Sequence, residues 1–401
     1  MPGSFLTARW FLVVFAASLA TEVTHSLMIH LPGFMLDVGM NEAGIGVVSG
    51  VATAVALIAR PWIGRTMDIR SRRLVIRLGV ALLAVACIGY SFVTTSGPLL
   101  WSMRGLQALG DAMSYTAFFT YVADRVPAGR RTQGLAIFGI SGLAPIGLGT
   151  VLGDFVLARA DYHAMFLVGA GFCALALGLA FTLESTGAHA GAAPRGFMAV
   201  LRSRRMRPLW FGTALLAVAF SVVFIYVKTY VEQSGLESVG PFFLSYAATA
   251  VALRLFFGWV PDRVGPRKLL GPALAVYALS FLVMATGPEG AALLPLAGLL
   301  GGTGHAIVFP VLLAMVTTRS GAADRGGAAA AFTAVLDLGG ILFAPLLGLL
   351  IIQLGYPVMF VTSAMVILVG AAVFYRLDRA EVAEMLDTAE LEIHPYPAPP
   401  A

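Results

Sequence analysis

The sequence predicts an all-α membrane protein with twelve transmembrane helices in two pseudo-symmetric six-helix bundles, and three observations carry that expectation. First, 59% of the 401 residues are hydrophobic and only 12% are charged, against about 25% charged in an average soluble domain. So few polar groups cannot coat a globule of this length, which excludes a soluble domain, a coiled coil and a disordered chain. Second, apolar runs long enough to cross a hydrocarbon core, about 20 residues of helix for about 30 Å, recur along the whole chain. Third, a group of charged and glycine residues in the first half returns 194 residues later in the second.

The runs fall at 8–31, 43–64, 74–95, 98–123, 132–157 and 163–184, then at 207–231, 239–260, 268–287, 291–318, 327–353 and 357–376. Gly- and Ala-rich stretches such as Gly134 to Gly153 suit close helix contact and lack the alternation of barrel strands. Arg9 and the Ser18, Leu19, Ala20 triplet resemble a secretory leader, but the apolar run continues to Leu31 and reads as a retained span. The longest polar interior stretch divides the chain into a first bundle at 1–184, a linker at 185–206 and a second bundle at 207–376, with a tail at 377–401. In the tail, Leu377 to Glu392 alternates charge with Val382, Met385, Leu386 and Leu391, the pattern of a short surface helix, and Pro395 to Pro400 make its end proline-rich.

Counting Lys and Arg loop by loop sets the orientation. Twenty-one of the 26 fall before the first span, in the even-numbered connections or in the tail, whereas the opposite loops hold only Arg159. Both termini and the linker are therefore expected on the cytoplasmic side. The basic balance calls for no nucleic-acid partner, because the charge is spread over loops at one membrane face. Cys87 and Cys173 sit inside apolar runs, so neither a disulfide framework nor a thiolate metal cluster is expected.

The repeat is specific. Arg60, Gly64 and Asp68, followed by Arg72 and Arg73, return as Arg254, Gly258 and Asp262, followed by Arg267 and Lys268. Each copy lies where the second helix of its half runs into a short loop. An Asp there can cap a neighbouring helix, and the arginines can reach helix C-terminal carbonyls or lipid phosphate, forming a latch that breaks and remakes as the halves rock.

These residues resemble the signature of the major facilitator superfamily between its second and third helices, with Ser71 standing where the family usually has Gly. Leu100, Arg104, Gln107 and Gly110 resemble its fourth-helix motif, whose Arg the resemblance links to proton transfer. Gly139, Gly142, Pro145, Gly147 and Gly149 resemble the fifth-helix antiporter motif of bacterial drug:proton exporters. The resemblance spans the chain, including His305 to Pro345, and implies a transporter whose fifth helix suppresses a leak pathway.

An ionisable group deep in a bilayer is costly when unpaired and so marks function by default. Glu22 lies near the middle of the first span with His25 one turn on, a carboxylate and an imidazole placed to share a proton. Arg104, Gln107 and Asp111 share one face of the fourth span, and His305 and Asp337 lie at mid-depth on the tenth and eleventh, where they can meet. Asp154, Glu184 and Lys228 lie near span ends and are expected to snorkel or cap. Pro145 and its flanking glycines are expected to make the fifth helix kink or pack closely on a neighbour.

Together these features predict a secondary transporter in the inner membrane that exports a small amphipathic compound in exchange for protons. Uptake of a metabolite or chelate by symport or uniport fits the same residues, with Arg104 then pairing an anionic substrate. The expected partners are the lipid bilayer, the small-molecule substrate and protons, with the chain acting as a monomer. No catalytic residue, metal or cofactor is expected: the sequence holds no Gly-x4-Gly-Lys-Ser/Thr loop, no His-Glu-x2-His and no Gly-x-Ser-x-Gly.

Overall fold

A computed structural model of the protein describes residues 8–127, 131–184, 197–257, 260–287, 293–320 and 325–393. Twelve long helices account for almost all of them. The first, α1, runs Arg9–Leu27, tightens into a 3₁₀ turn at Met28–His30 and resumes as Leu31–Asp37. Pro32 has no N–H to give the Met28 carbonyl, which is why the α ladder breaks there. Helix α2 (Glu42–Ile69) starts where the Asn41 side chain accepts from the Gly44 amide, and α3 (Arg72–Tyr90) where Ser71 does the same for Leu74. Caps of this kind contribute about 1 kcal/mol each. Helix α4 (Pro98–Arg125) opens on a proline, which supplies a position that needs no donor. Helix α5 comes in two pieces, Arg131–Phe138 and Ile140–Leu157, and α6 (Tyr162–Thr182) is capped by Asp161.

After the short linker helix Phe197–Arg202, α7 runs Arg207–Ser221, widens into a π turn at Val222–Tyr226 and ends as Val227–Gln233. Helices α8 (Gly240–Phe257), α9 (Pro266–Met284) and α10 (Leu294–Arg319) follow. The last two helices, α11 (325–354) and α12 (356–393), are separated only by Gly355, whose φ of 80° a side chain would disfavour. Ten helices are long and apolar enough to cross a membrane when the last pair counts as one and α4, burdened by Arg104, Asp111, Asp124 and Arg125, is left out. Restoring both gives twelve among the described residues.

Two boundaries differ from expectation. Helix α12 does not stop at Arg376 but continues to Ile393, anchored by the fully buried Asp378. The interruption in α5 falls at Gly139, while Pro145 stays buried inside a continuous helix. Glycines are poor helix formers, and the interruption falls at one of them.

Within the first half α1 packs on α5 and α6, and α3 on α4 and α6; across the halves α2 packs on α11 and α5 on α8. The two halves build their cores differently. The second has one continuous cluster centred on Tyr226, Tyr246, Tyr277, Phe281 and Phe332. The first has two, one around Phe11, Phe118, Tyr121 and Phe138 and another around Phe34, Tyr90 and Phe166. On α1 the first cluster ends at Ala20 and the second begins at Leu27, so a polar layer containing Thr21, Glu22, Thr24, His25 and Ser26 lies between them. Leu148, Phe155, Leu175, Leu349 and Val369 are exposed on the outer surface, as a lipid-facing helix requires.

Candidate functional site

The polar layer of the first half is the candidate site. On α4, Asp111 turns toward α1, and its Oδ2 lies 3.2 Å from His25 Nδ1. Glu22, one turn earlier on α1, interacts electrostatically with both. His25 therefore has Asp111 as its partner, not Glu22 as the sequence spacing suggested, and Glu22 stands beside the pair. The His25 side chain is 53% exposed although it sits at mid-helix, so it borders the space between the halves and not the packed core. Arg104 is within electrostatic reach of His25 and Tyr90. Gln107 faces α3 instead and is buried, accepting a hydrogen bond from the Tyr90 hydroxyl at 2.9 Å. The surrounding hydroxyls are satisfied locally: Thr24 donates to the Gly169 carbonyl on α6, and Ser26 to Glu22's own carbonyl.

The second half faces this layer with a different set. His305 and Asp337 do not meet. His305 Nδ1 lies 2.6 Å from the Tyr246 hydroxyl, which continues to Tyr277 at 3.0 Å, with Phe220 4.9 Å from the imidazole. Asp337 instead takes Arg60 from the other half: the guanidinium donates to its Oδ2 at 2.5 Å and to Thr333 Oγ1 at 3.2 Å. Arg60 thus spans α2 and α11 and belongs to this interior layer rather than to the loop motif. Its repeat counterpart Arg254, expected in the same latch, lies within electrostatic reach of Tyr115, Tyr246 and His305.

The loop motif itself divides. Arg72 is buried, its Nε 3.0 Å from Asp124 Oδ2 and its Nη1 donating to the Met67 carbonyl. Arg73 donates to the Leu183 carbonyl and Arg77 to those of Ala180 and Phe181, so both neutralise the C-terminal end of α6. In the second half Arg267 and Arg319 both bind Asp378, at 2.9 and 2.6 Å, while Lys268 is exposed. A Cβ on Gly64 would meet nothing within 4 Å, so no contact demands a glycine there. Gly258 and the side chains of Asp68 and Asp262 lie outside the described residues. Outside the membrane, Arg125 pairs with Glu184, and the guanidinium holds that carboxyl below its ordinary range.

Asp378 was not foreseen, yet the repeat contains it. The same 194-residue offset carries Arg73 to Arg267, Arg125 to Arg319 and Glu184 to Asp378, and it also carries Asp111 to His305. Extending the repeat beyond the loop motif would have found each of them.

On α5, Gly147 approaches α8 so closely that a Cβ would lie 2.9 Å from the Leu244 Cα, and one on Gly149 would lie 2.5 Å from the Ser26 Cβ of α1. Gly142 has nothing within 4 Å of the same position. At the face away from the termini the halves are tied together. Asp154 accepts from the Ser238 hydroxyl and the Gly240 amide, Tyr162 donates to Glu232 at 3.0 Å, and Gln233 bonds Glu42. Lys228 does not snorkel: it is buried, 3.1 Å from Glu232 Oε1. Asp154 caps as expected, but the amide it accepts from, Gly240 at the start of α8, belongs to the other half, so the cap is also a tie between the halves.

The sequence matches the profile of the Major Facilitator Superfamily over residues 10–260 and 237–395. It is 24% identical over 361 residues to the uncharacterized MFS-type transporter YhhS of Shigella flexneri, covering 87% of each chain. For the same-named protein of Salmonella typhi the figures are 22% over 378 residues and 90% of each chain. The nucleoside transporter NupG superposes with a TM-score of 0.79 at 14% identity, covering 92% of this chain and 99% of that one. The POT family transporter PepTSo gives 0.76 at 12% identity, covering 94% and 98%. Similarity at that level of identity establishes the shared fold.

Proposed function

The chain belongs to the Major Facilitator Superfamily and is a multi-pass membrane transporter, and from that premise we propose that it exports a small amphipathic compound in exchange for protons. One observation carries the reading: Glu22, His25 and Asp111 form a carboxylate, imidazole, carboxylate cluster at mid-depth, bordering the space between the halves. A proton arriving there has three acceptors within one electrostatic neighbourhood, and a substrate cation competes with it for the same carboxylates. Mutual exclusion at one site is the physical basis of exchange. The driving force is about 2.3 kcal/mol per charge per 100 mV plus about 1.4 kcal/mol per pH unit.

The lopsided arginine distribution supports cytoplasmic termini in an inner membrane. On that orientation the ties at Asp154, Glu232 and Glu42 close the outer side, leaving a conformer that loads from the cytoplasm, as an exporter must. The close contacts of Gly147 with α8 and of Gly149 with α1 support the part of the reading in which α5 restricts a proton leak.

The test uses everted membrane vesicles with a preformed pH gradient and compounds whose toxicity shifts when the protein is present. Addition of such a compound should collapse the gradient, and Glu22→Gln should abolish that response while leaving protein yield unchanged. A gradient that ignores the compound, or a Glu22→Gln protein that behaves as wild type, rejects proton exchange at this site.

A further inference from the structure

The repeat relates two arginines, and the structure gives them different surroundings. Arg60 on α2 has Asp337 and Thr333 on α11. The offset of 194 carries Arg60 to Arg254, Asp337 to Leu143 and Thr333 to Gly139. That this offset holds in three dimensions is visible one turn and more away: Gly50 on α2 abuts Ile341 on α11, and their counterparts Leu244 on α8 and Gly147 on α5 abut each other in the same way. By the repeat, the α5 positions equivalent to Asp337 and Thr333 are held by a leucine and a glycine, so α5 offers Arg254 neither of the partners that Arg60 has.

No nitrogen of Arg254 makes a hydrogen bond or ion pair among the described residues, and its Nε is buried without an acceptor. Arginine retains its proton in any protein environment, so this position holds a permanent cation in the interior with no carboxylate against it. Its surroundings are the Tyr115 and Tyr246 hydroxyls and His305. Tyr115 is half exposed and interacts electrostatically with Glu22 and Arg60 as well, so Arg254 and Glu22, from different halves, share one polar neighbourhood. Phe220 and Phe309 flank His305 on the same side, with ring centroids 4.9 and 6.0 Å from the imidazole.

A partly buried cation lacking a protein counter-ion, in electrostatic reach of two tyrosines and of a histidine flanked by phenylalanine rings, suits an organic anion. The planar fork of guanidinium matches a carboxylate. We propose that Arg254 receives the carboxylate of the transported compound, and that the substrate class is an amphipathic, amino-acid-like zwitterion. Its apolar body lies on Phe220 and Phe309, and its ammonium faces Glu22. The assignment of the ammonium rests on the proton-exchange reading above; that of the carboxylate does not.

The experiment is a binding titration of the full-length protein in detergent, read by thermal shift. The ligands are aromatic amino acids of increasing side-chain size, each paired with its carboxamide and its N-acetyl form. In the wild type the zwitterions bind at least about tenfold more tightly than their carboxamides, the discrimination expected for one desolvated charge pair. Arg254→Gln abolishes the preference for carboxylate over carboxamide but keeps the preference for free amine over N-acetyl. Arg254→Lys, which keeps the charge without the fork, retains part of the first preference and controls for folding, as does the elution profile of each variant. The proposal is overturned if carboxamides bind as well as zwitterions, if no member of the series binds, or if Arg254→Gln keeps the wild-type preference. Proton release on binding is followed in parallel. Loss of it with the Arg254-dependent preference intact rejects proton exchange and leaves the carboxylate receptor standing.

Discussion

Arg60 and Arg254 occupy the same place in two copies of one structural repeat and have parted ways. Arg60 is held by Asp337 and joins the two halves at mid-depth. Arg254, for which the repeat puts Leu143 and Gly139 in place of Asp337 and Thr333, has no carboxylate among the described residues. A charge pair taken out of water stabilises only as a pair, so the first arginine is an element of structure and the second is a cost borne by the fold. The difference originates on α5, the helix whose glycines let it press on α8 and α1. Leu143 and Gly139 there carry no polar side chain to answer the arginine. The same division separates the cores: the first half interrupts its apolar packing with the Glu22, His25, Asp111 layer, while the second stays continuous and aromatic.

Breaking the satisfied member gives the largest effect. Asp337→Asn leaves Arg60 without its counter-ion, and after allowance for side chains that are 35% and 21% exposed the loss of stability is about 1–3 kcal/mol. Thermal unfolding in detergent measures it, and an unchanged midpoint would show that the halves are not held there. The α5 wall gives the next contrast. Gly147→Val forces a side chain against the α8 backbone and should cost about 1–3 kcal/mol. Gly142→Ala, with nothing within 4 Å, should be neutral or gain up to about 1 kcal/mol from helix propensity. Equal losses at the two positions would contradict the close approach of α5 to α8.

Leu143→Asp restores the symmetric partner. It should give Arg254 a counter-ion, raise or maintain the melting midpoint and suppress transport, all visible in one proteoliposome preparation. A stable protein with undiminished flux would mean that Arg254 has no part in the site.

The smallest effect lies outside the membrane. Arg125 depresses the Glu184 carboxyl, so its contribution is present above the ordinary carboxylate range and is lost as the pH falls through the depressed value. Wild type and Glu184→Gln should therefore differ at neutral pH and converge in acid, compared by melting midpoint across a pH series. Divergence in acid would reverse the sign.

Much of this was legible in the sequence because depth and repeat spacing are one-dimensional quantities. The twelve spans followed from hydropathy, and Glu22, His25, Arg104, Asp111, His305 and Asp337 stood out because charge or imidazole inside an apolar run is rare. Partners were harder to read. Asp337 takes Arg60 from a helix 277 positions away in the other half, and a repeat reveals which residues are equivalent, not which touch. Asp378 hid in what looked like a polar tail, because its burial depends on Arg267 and Arg319 closing over it. Pro145 drew attention as the place where α5 would break, whereas the interruption falls at Gly139, because a proline can sit inside a continuous helix.

The most direct measurement sets Arg60→Gln and Arg254→Gln side by side in thermal unfolding without ligand. The parted roles of the two arginines predict a lowered midpoint for Arg60→Gln and, for Arg254→Gln, a midpoint at or above that of the wild type. Equal destabilisation by both would contradict the account, because it would mean that Arg254 is as firmly paired within the protein as its counterpart.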